Sequence, residues 1–196
     1  MKKSKTGILT FILFSLCFVI LSSCYITFEF SDDTGTYSKK SSNSNKHIVT
    51  DCPAEIAAKA FEYAKKYAAA DTEYGYGKQD PLRSIKIDCS GLVIMCYTYA
   101  LQGTGYTLIE PDMASAYMYE NAATFTTTPR RGDLIFMGDD SNDPSIFHIA
   151  IFDRFEGDQV YFIDSTSQGK INGVSERHYA KTNKKIKAYG IMKLKY

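Results

Sequence analysis

The sequence has no tryptophan and only three histidines, His47, His148 and His178. It contains no Cys-x-x-Cys and no two histidines at ligand spacing, which argues against a zinc site. Lys+Arg number 23 against 22 Asp+Glu, and a formal charge of +1 leaves no basic footprint for nucleic acid. No compositional bias marks a disordered, collagen-like or disulfide-scaffold chain. The acidic run Asp139-Asp140-Ser141-Asn142-Asp143 lacks the sixth-place glycine and twelfth-place glutamate of an EF-hand loop, and reads as a solvated loop. With 196 residues and no internal repeat, the chain suits one globular domain with something extra.

The extra lies at the N-terminus. Gly7 to Leu21 is apolar apart from Thr10 and Ser15, and its fifteen residues span roughly 22 Å, less than a hydrocarbon core of about 30 Å. Three lysines and no acid precede it, so residues 1–23 read as a secretory signal. Leu21-Ser22-Ser23-Cys24 resembles a bacterial lipobox, which implies cleavage before Cys24 and acylation of that residue. Several acyl chains would give stable membrane attachment, each buried CH₂ contributing about 0.8 kcal/mol. Loss of the signal's three lysines would lower the formal charge from +1 to −2. Residues 24–46, the lipidated cysteine and a stretch rich in Ser, Asp, Lys and Asn, read as a flexible spacer.

Residues 47–196 form the expected folded domain. Ile56, Ala60, Tyr63, Ala64 and Tyr67 recur at helical spacing and predict a helix over about 53–69, capped by Thr50 or Asp51. A second helix is expected from Cys89 to about Leu101, stopping at Gly103, and a third from Pro111 to about Ala122. Short β-rich runs follow at Asp133–Met137, His148–Phe155, Gln159–Asp164 and Lys187–Lys195, with a hairpin turn at Gly157-Asp158. Ser165 to His178 reads as a polar return loop. Helices first and antiparallel strands afterwards predict an α+β domain.

The chemistry centres on Asp88-Cys89-Ser90-Gly91-Leu92. A cysteine in the first turn of a helix faces unpaired N–H groups and the positive end of the helix dipole, which favours thiolate. The same amides suit an oxyanion formed after attack on a carbonyl. Such a nucleophile needs a base, and His148 opens an otherwise apolar strand, sharing one face with Ala150 and Phe152. Asp164 ends the adjacent hairpin arm and can steady the ring. Cys89, His148 and Asp164 thus form a candidate nucleophile, base and orienter, with His178 as the alternative orienter. Cys96, seven residues beyond Cys89 on the same helical face, reads as core, and Cys52 and Cys96 are the two thiols left for a structural disulfide. Arg131-Gly132-Asp133 reads as the turn that launches a strand rather than as an integrin tripeptide.

Tyr74-Gly75-Tyr76-Gly77, Asp88-Cys89-Ser90-Gly91-Leu92, Arg131-Gly132-Asp133-Leu134-Ile135-Phe136 and His148-Ile149-Ala150-Ile151, in that order, resemble the NlpC family of bacterial cell-wall cysteine peptidases over roughly residues 53–165. The resemblance implies a compact papain-like fold and hydrolysis of peptidoglycan stem peptides, commonly between D-γ-glutamate and a diamino acid. It implies Cys89 as nucleophile and His148 as general base, with Tyr74, Asp88 and Ser90 holding the stem's free amino group. An acid, a phenol and a hydroxyl suit an ammonium. Relatives often carry His, Asn or Gln where Asp164 stands, and a glycine pair where this chain has Gly77-Lys78. The expected protein is a monomeric, cofactor-free enzyme, anchored by lipid to a bacterial membrane and facing the periplasm or exterior. Open alternatives are another amidase or acyltransferase using the same thiol, or a non-catalytic lipoprotein that binds wall peptides.

Overall fold

The computed structural model describes residues 47–83 and 85–196. The signal at 1–23, the lipidated Cys24 and the spacer to residue 46 lie outside the described residues. In chain order the elements are β1 (Val49–Asp51), α1 (Ala54–Ala69), β2 (Glu73–Tyr74), β3 (Lys86–Ile87), α2 (Cys89–Leu101), β4 (Thr107–Leu108), α3 (Ser115–Asn121), β5 (Ala123–Thr126), β6 (Leu134–Met137), β7 (His148–Glu156), β8 (Gln159–Thr166), β9 (Gly173–Ala180) and β10 (Ile186–Lys195). No helix among the described residues is long and apolar enough to cross a membrane.

The main sheet runs β1-β10-β6-β7-β8-β9, with every pairing antiparallel and with β4 and β5 also joined to β10. β2 and β3 form a separate parallel pair that carries the chain into α2. This is the α+β architecture expected from the sequence. The core lies between α1, α2 and one face of the sheet. α2 buries Leu92, Val93, Ile94, Cys96 and Tyr97 around nearly its whole circumference, because it is the central helix, with α1 on one side and β7 and β8 on the other. Each such apolar side chain contributes roughly 1.5–3 kcal/mol on burial. A smaller cluster of Ile135, Met137, Ala150, Phe152, Val160 and Phe162 packs separately from this core.

Several details differ from the sequence expectation. α1 is not capped by Thr50 or Asp51; both belong to β1, Pro53 occupies the cap position, and Asp51 instead accepts a hydrogen bond from Thr124 at 2.6 Å. α3 is shorter than expected, beginning at Ser115. Asp133 precedes its strand, fully buried and held by Arg130. Cys52 and Cys96 are free, buried thiols, so the possible disulfide between them is not formed. The segment read as a polar return loop contains β9, and His178 sits on that strand, opposite Tyr161.

Two close approaches account for glycines in the motifs. A Cβ at Gly91 would meet the Lys78 carbonyl oxygen at 2.2 Å, and at Gly132, with φ of +95°, it would meet that of Ala57 at 1.9 Å. The first fits the loop after β2 against the start of α2. The second lets the turn before β6 rest on α1, where Tyr97 donates to the Gly132 carbonyl at 2.9 Å.

Candidate active site

Asp88 organises the start of α2. Its Oδ1 accepts from the Gly91 amide at 2.7 Å and from the Ser90 hydroxyl at 2.9 Å, and its Oδ2 accepts from the Gly77 amide at 2.7 Å. A carboxylate bridging a helix N-terminus and a neighbouring loop is a favourable cap. It fixes Cys89 as the first residue of the helix, 8% exposed at the edge of a cavity of about 630 Å³. Tyr74, Asp88 and Ser90 line the same cavity, so the structure brings the three expected substrate-binding residues together around Cys89. The aromatic rims Tyr76 and Phe147 are exposed. Burial and the neighbouring Cys89 and Asp88 raise the Tyr74 phenol above its ordinary pKa, which keeps its hydroxyl neutral.

The sheet supplies the other half. Ile151 pairs with Ile163 and Phe152 with Phe162, a register that sets His148 diagonally across from Asp164 on the same face. His148 Nε2 lies 2.6 Å from Asp164 Oδ2, and the carboxylate is fully buried. Nε2–H donates to this oxygen, which leaves Nδ1 as the nitrogen available to a sulfur. Ser165, the next residue along β8, donates to the Ile87 carbonyl at 2.6 Å and so ties the strand carrying Asp164 to the segment that launches Cys89. Burial of the His148 ring opposes its charge. The hydrogen bond to Asp164, the nearby Cys89 sulfur and the charges of both outweigh that penalty and push its pKa up to about 9. Cys89, His148 and Asp164 therefore form one coupled unit.

His178 takes no part in it. Its side chain is exposed and its ring lies against Tyr161, with centroids 5.2 Å apart. Sequence reasoning missed Arg177, whose Nη2 lies 2.9 Å from Asp164 Oδ2, and Ser165. A lone arginine in a polar stretch gives no signal of such a contact.

The three described cysteines differ in chemistry. Burial, reinforced by the Asp133 charge, pushes the Cys52 thiol up to about 12, and burial alone raises Cys96 well above the ordinary thiol range. Only Cys89 opens on the cavity. Iodoacetamide at pH 7.5 is therefore expected to alkylate Cys89 at least ~100-fold faster than Cys52 or Cys96. Peptide mass spectrometry over a time course checks this, and comparable labelling of Cys52 would contradict the assignment of the reactive thiol.

A family model described as NlpC/P60 family matches residues 71–188. No curated protein matches the chain. Similar solved structures include the crystal structure of Ly7917, with a TM-score of 0.46 and 13% identity over 69% of this chain and 62% of that one. The crystal structure of Ly7917 with the hydrolyzing product of MDP gives a TM-score of 0.44 and 12% identity, over 71% and 62%. The chain thus spans about three fifths of the length of these solved structures.

Proposed function

The chain belongs to the NlpC/P60 family, and from that premise we propose that it is a cysteine hydrolase of cell-wall peptides, cutting stem peptides between D-γ-glutamate and the diamino acid. The observation that carries this reading is a bonded His148–Asp164 pair coupled to a cysteine at a helix N-terminus, beside a cavity lined by Tyr74, Asp88 and Ser90.

His148 takes the thiol proton of Cys89 and the sulfur attacks the scissile carbonyl carbon. The Gly91 amide is engaged by Asp88, so the amides of Cys89 and Ser90 are the first-turn groups that meet the oxyanion. As the C–N bond breaks, the imidazolium passes its proton to the departing amine, and a thioester remains. Water, deprotonated by His148, adds to the thioester. The new carboxylate then leaves and the thiol regains its proton.

The cavity lining supports this position for the cut. An ionised carboxylate offers about four acceptor sites, and three donors already occupy Asp88. One site remains for an ammonium. Ser90 donates to Asp88 and keeps its own lone pairs, and the neutral Tyr74 hydroxyl can also accept. This acceptor set supports recognition of a free stem N-terminus, with the attacked bond a short way along the peptide. The lipobox-like Leu21–Cys24 supports a lipid-anchored location on the outer side of a bacterial membrane.

The test is product analysis on a synthetic stem tetrapeptide with a free N-terminus, in ¹⁸O-labelled water. The expected products are an alanyl-γ-glutamate dipeptide carrying one ¹⁸O in its new carboxylate and a peptide with a free diamino-acid amine. Release of the first residue from N-acetylmuramic acid in a muropeptide, with the tetrapeptide left intact, would reassign the site to an amidase. A product without ¹⁸O would mark acyl transfer.

A further inference from the structure

Asp164 carries two donors on one oxygen: His148 Nε2 at 2.6 Å and Arg177 Nη2 at 2.9 Å, both to Oδ2. Arg177 comes from β9, where it stands opposite Phe162 and so shares a face with Asp164. Its side chain is 12% exposed. The guanidinium lies 5.4 Å from the Phe162 ring and 5.3 Å from the Tyr179 ring, and Nη2 also donates to the Tyr179 hydroxyl at 3.0 Å. A planar cation packed against two aromatic rings has little freedom left to lose. β8 and β9 are already joined by continuous register from Gln159↔Ala180 to Thr166↔Gly173, so the ion pair is not needed to hold the strands together.

On the basis of the hydrolase site described above, we propose that Arg177 is a positioning residue: its guanidinium fixes the Asp164 carboxylate in the orientation that receives His148 and balances its charge. The imidazole then meets a neutralised pair instead of a bare buried anion. Cys89 faces the ring from α2, and Asp164 faces it from β8. Arg177 and Tyr179 of β9, Asp139 and Asp140 of the loop before β7, and Lys185 of the turn before β10 line the small cavity beside it. Without Arg177, Asp164 would lose its guanidinium, and the cavity beside the ring would be lined by Asp139 and Asp140 with Lys185 alone to offset them. The imidazolium would be held more tightly and would return its proton to the leaving amine less readily.

The experiment follows the His148 ring by NMR through a pH titration of the full chain, with Arg177→Gln, Arg177→Met and Arg177→Lys beside the wild type. The two uncharged variants are expected to raise the His148 midpoint by about one unit and to lower kcat about tenfold with KM unchanged. Arg177→Lys, which keeps the charge, is expected to hold the midpoint near that of the wild type and recover most of kcat. If either uncharged variant fails to fold, the other compared with lysine decides. Glutamine or methionine titrating like lysine would show that the side chain only fills space, and would overturn the proposal. The titration needs no substrate. A wild type that cleaves no stem peptide therefore counts against the hydrolase reading, and an unmoved midpoint counts against Arg177 alone.

Discussion

Cys89→Ala is expected to lower turnover of a stem tetrapeptide by about 10⁴-fold or more while changing the dissociation constant of the uncleaved peptide less than about threefold. The sulfur is the atom that forms the new covalent bond, and nothing else lining the cavity is a nucleophile of comparable strength. With Nε2 bonded to Asp164, His148 keeps Nδ1 for this sulfur, so His148→Ala should cost a similar factor, and the double variant little more than either single one, as residues acting as one unit do. Binding is spared because Tyr74, Asp88 and Ser90 keep their places: Asp88 is held by the Gly77 and Gly91 amides, which the substitution leaves alone. Stability should also change little, since only a sulfur at the cavity edge is lost. Single-turnover kinetics and isothermal titration of the uncleaved peptide separate the two effects. Residual turnover within tenfold of wild type would mean that Cys89 is not the nucleophile.

Much of the site was legible in the sequence because its signals are local. The start at Cys89, the apolar run from Leu92 and the stop at Gly103 define α2 with the boundaries the structure has, while the capping role of Asp88 emerged only from the structure. The β-rich runs His148–Phe155 and Gln159–Asp164, joined through Gly157-Asp158, give both strands, and period-2 geometry gives the face that His148 and Asp164 share. What was not legible depends on long-range pairing. β1 pairs with β10 across almost the whole domain, and no short-range pattern announces that partnership. β9 is an edge strand whose segment Ser175-Glu176-Arg177-His178-Tyr179 puts polar groups on both faces, so the apolar run that marks β7 and β8 is missing. Arg177 could be placed beside Asp164 only after the β8–β9 register was known, and that register was hidden by the same polar composition. His178 was misplaced for the same reason: one residue further along β9, it points to the other face and meets Tyr161.

Asp164→Asn separates the orienting role of this residue from its bulk. The amide is isosteric and can still accept from Nε2–H through its oxygen, but it carries no charge, and rotated by half a turn it presents an NH₂ that favours the wrong imidazole tautomer. Two expected effects follow. Arg177, 12% exposed and deprived of its anion, becomes an unpaired buried cation, a loss of about 3 kcal/mol. Replacing Arg177 by methionine in the same chain should recover part of that stability, which calorimetry can read. In catalysis, kcat should fall by about 10²- to 10⁴-fold. The His148 pKa should also drop, because burial opposes the charged ring and Asp164 is a main group offsetting it. In the wild type the folded-state value near 9 lies above the ordinary 6.5, so the stabilisation it reflects is complete below about pH 6.5 and is lost as pH rises through about 9. That slope should flatten in the asparagine variant, and the alkaline limb of kcat/KM should move down by more than about one unit. Urea denaturation at several pH values, set beside the pH–rate profile, reads both. If slope and limb both stay where the wild type has them, the carboxylate is not what holds the imidazolium, and the third position of the catalytic unit must lie elsewhere.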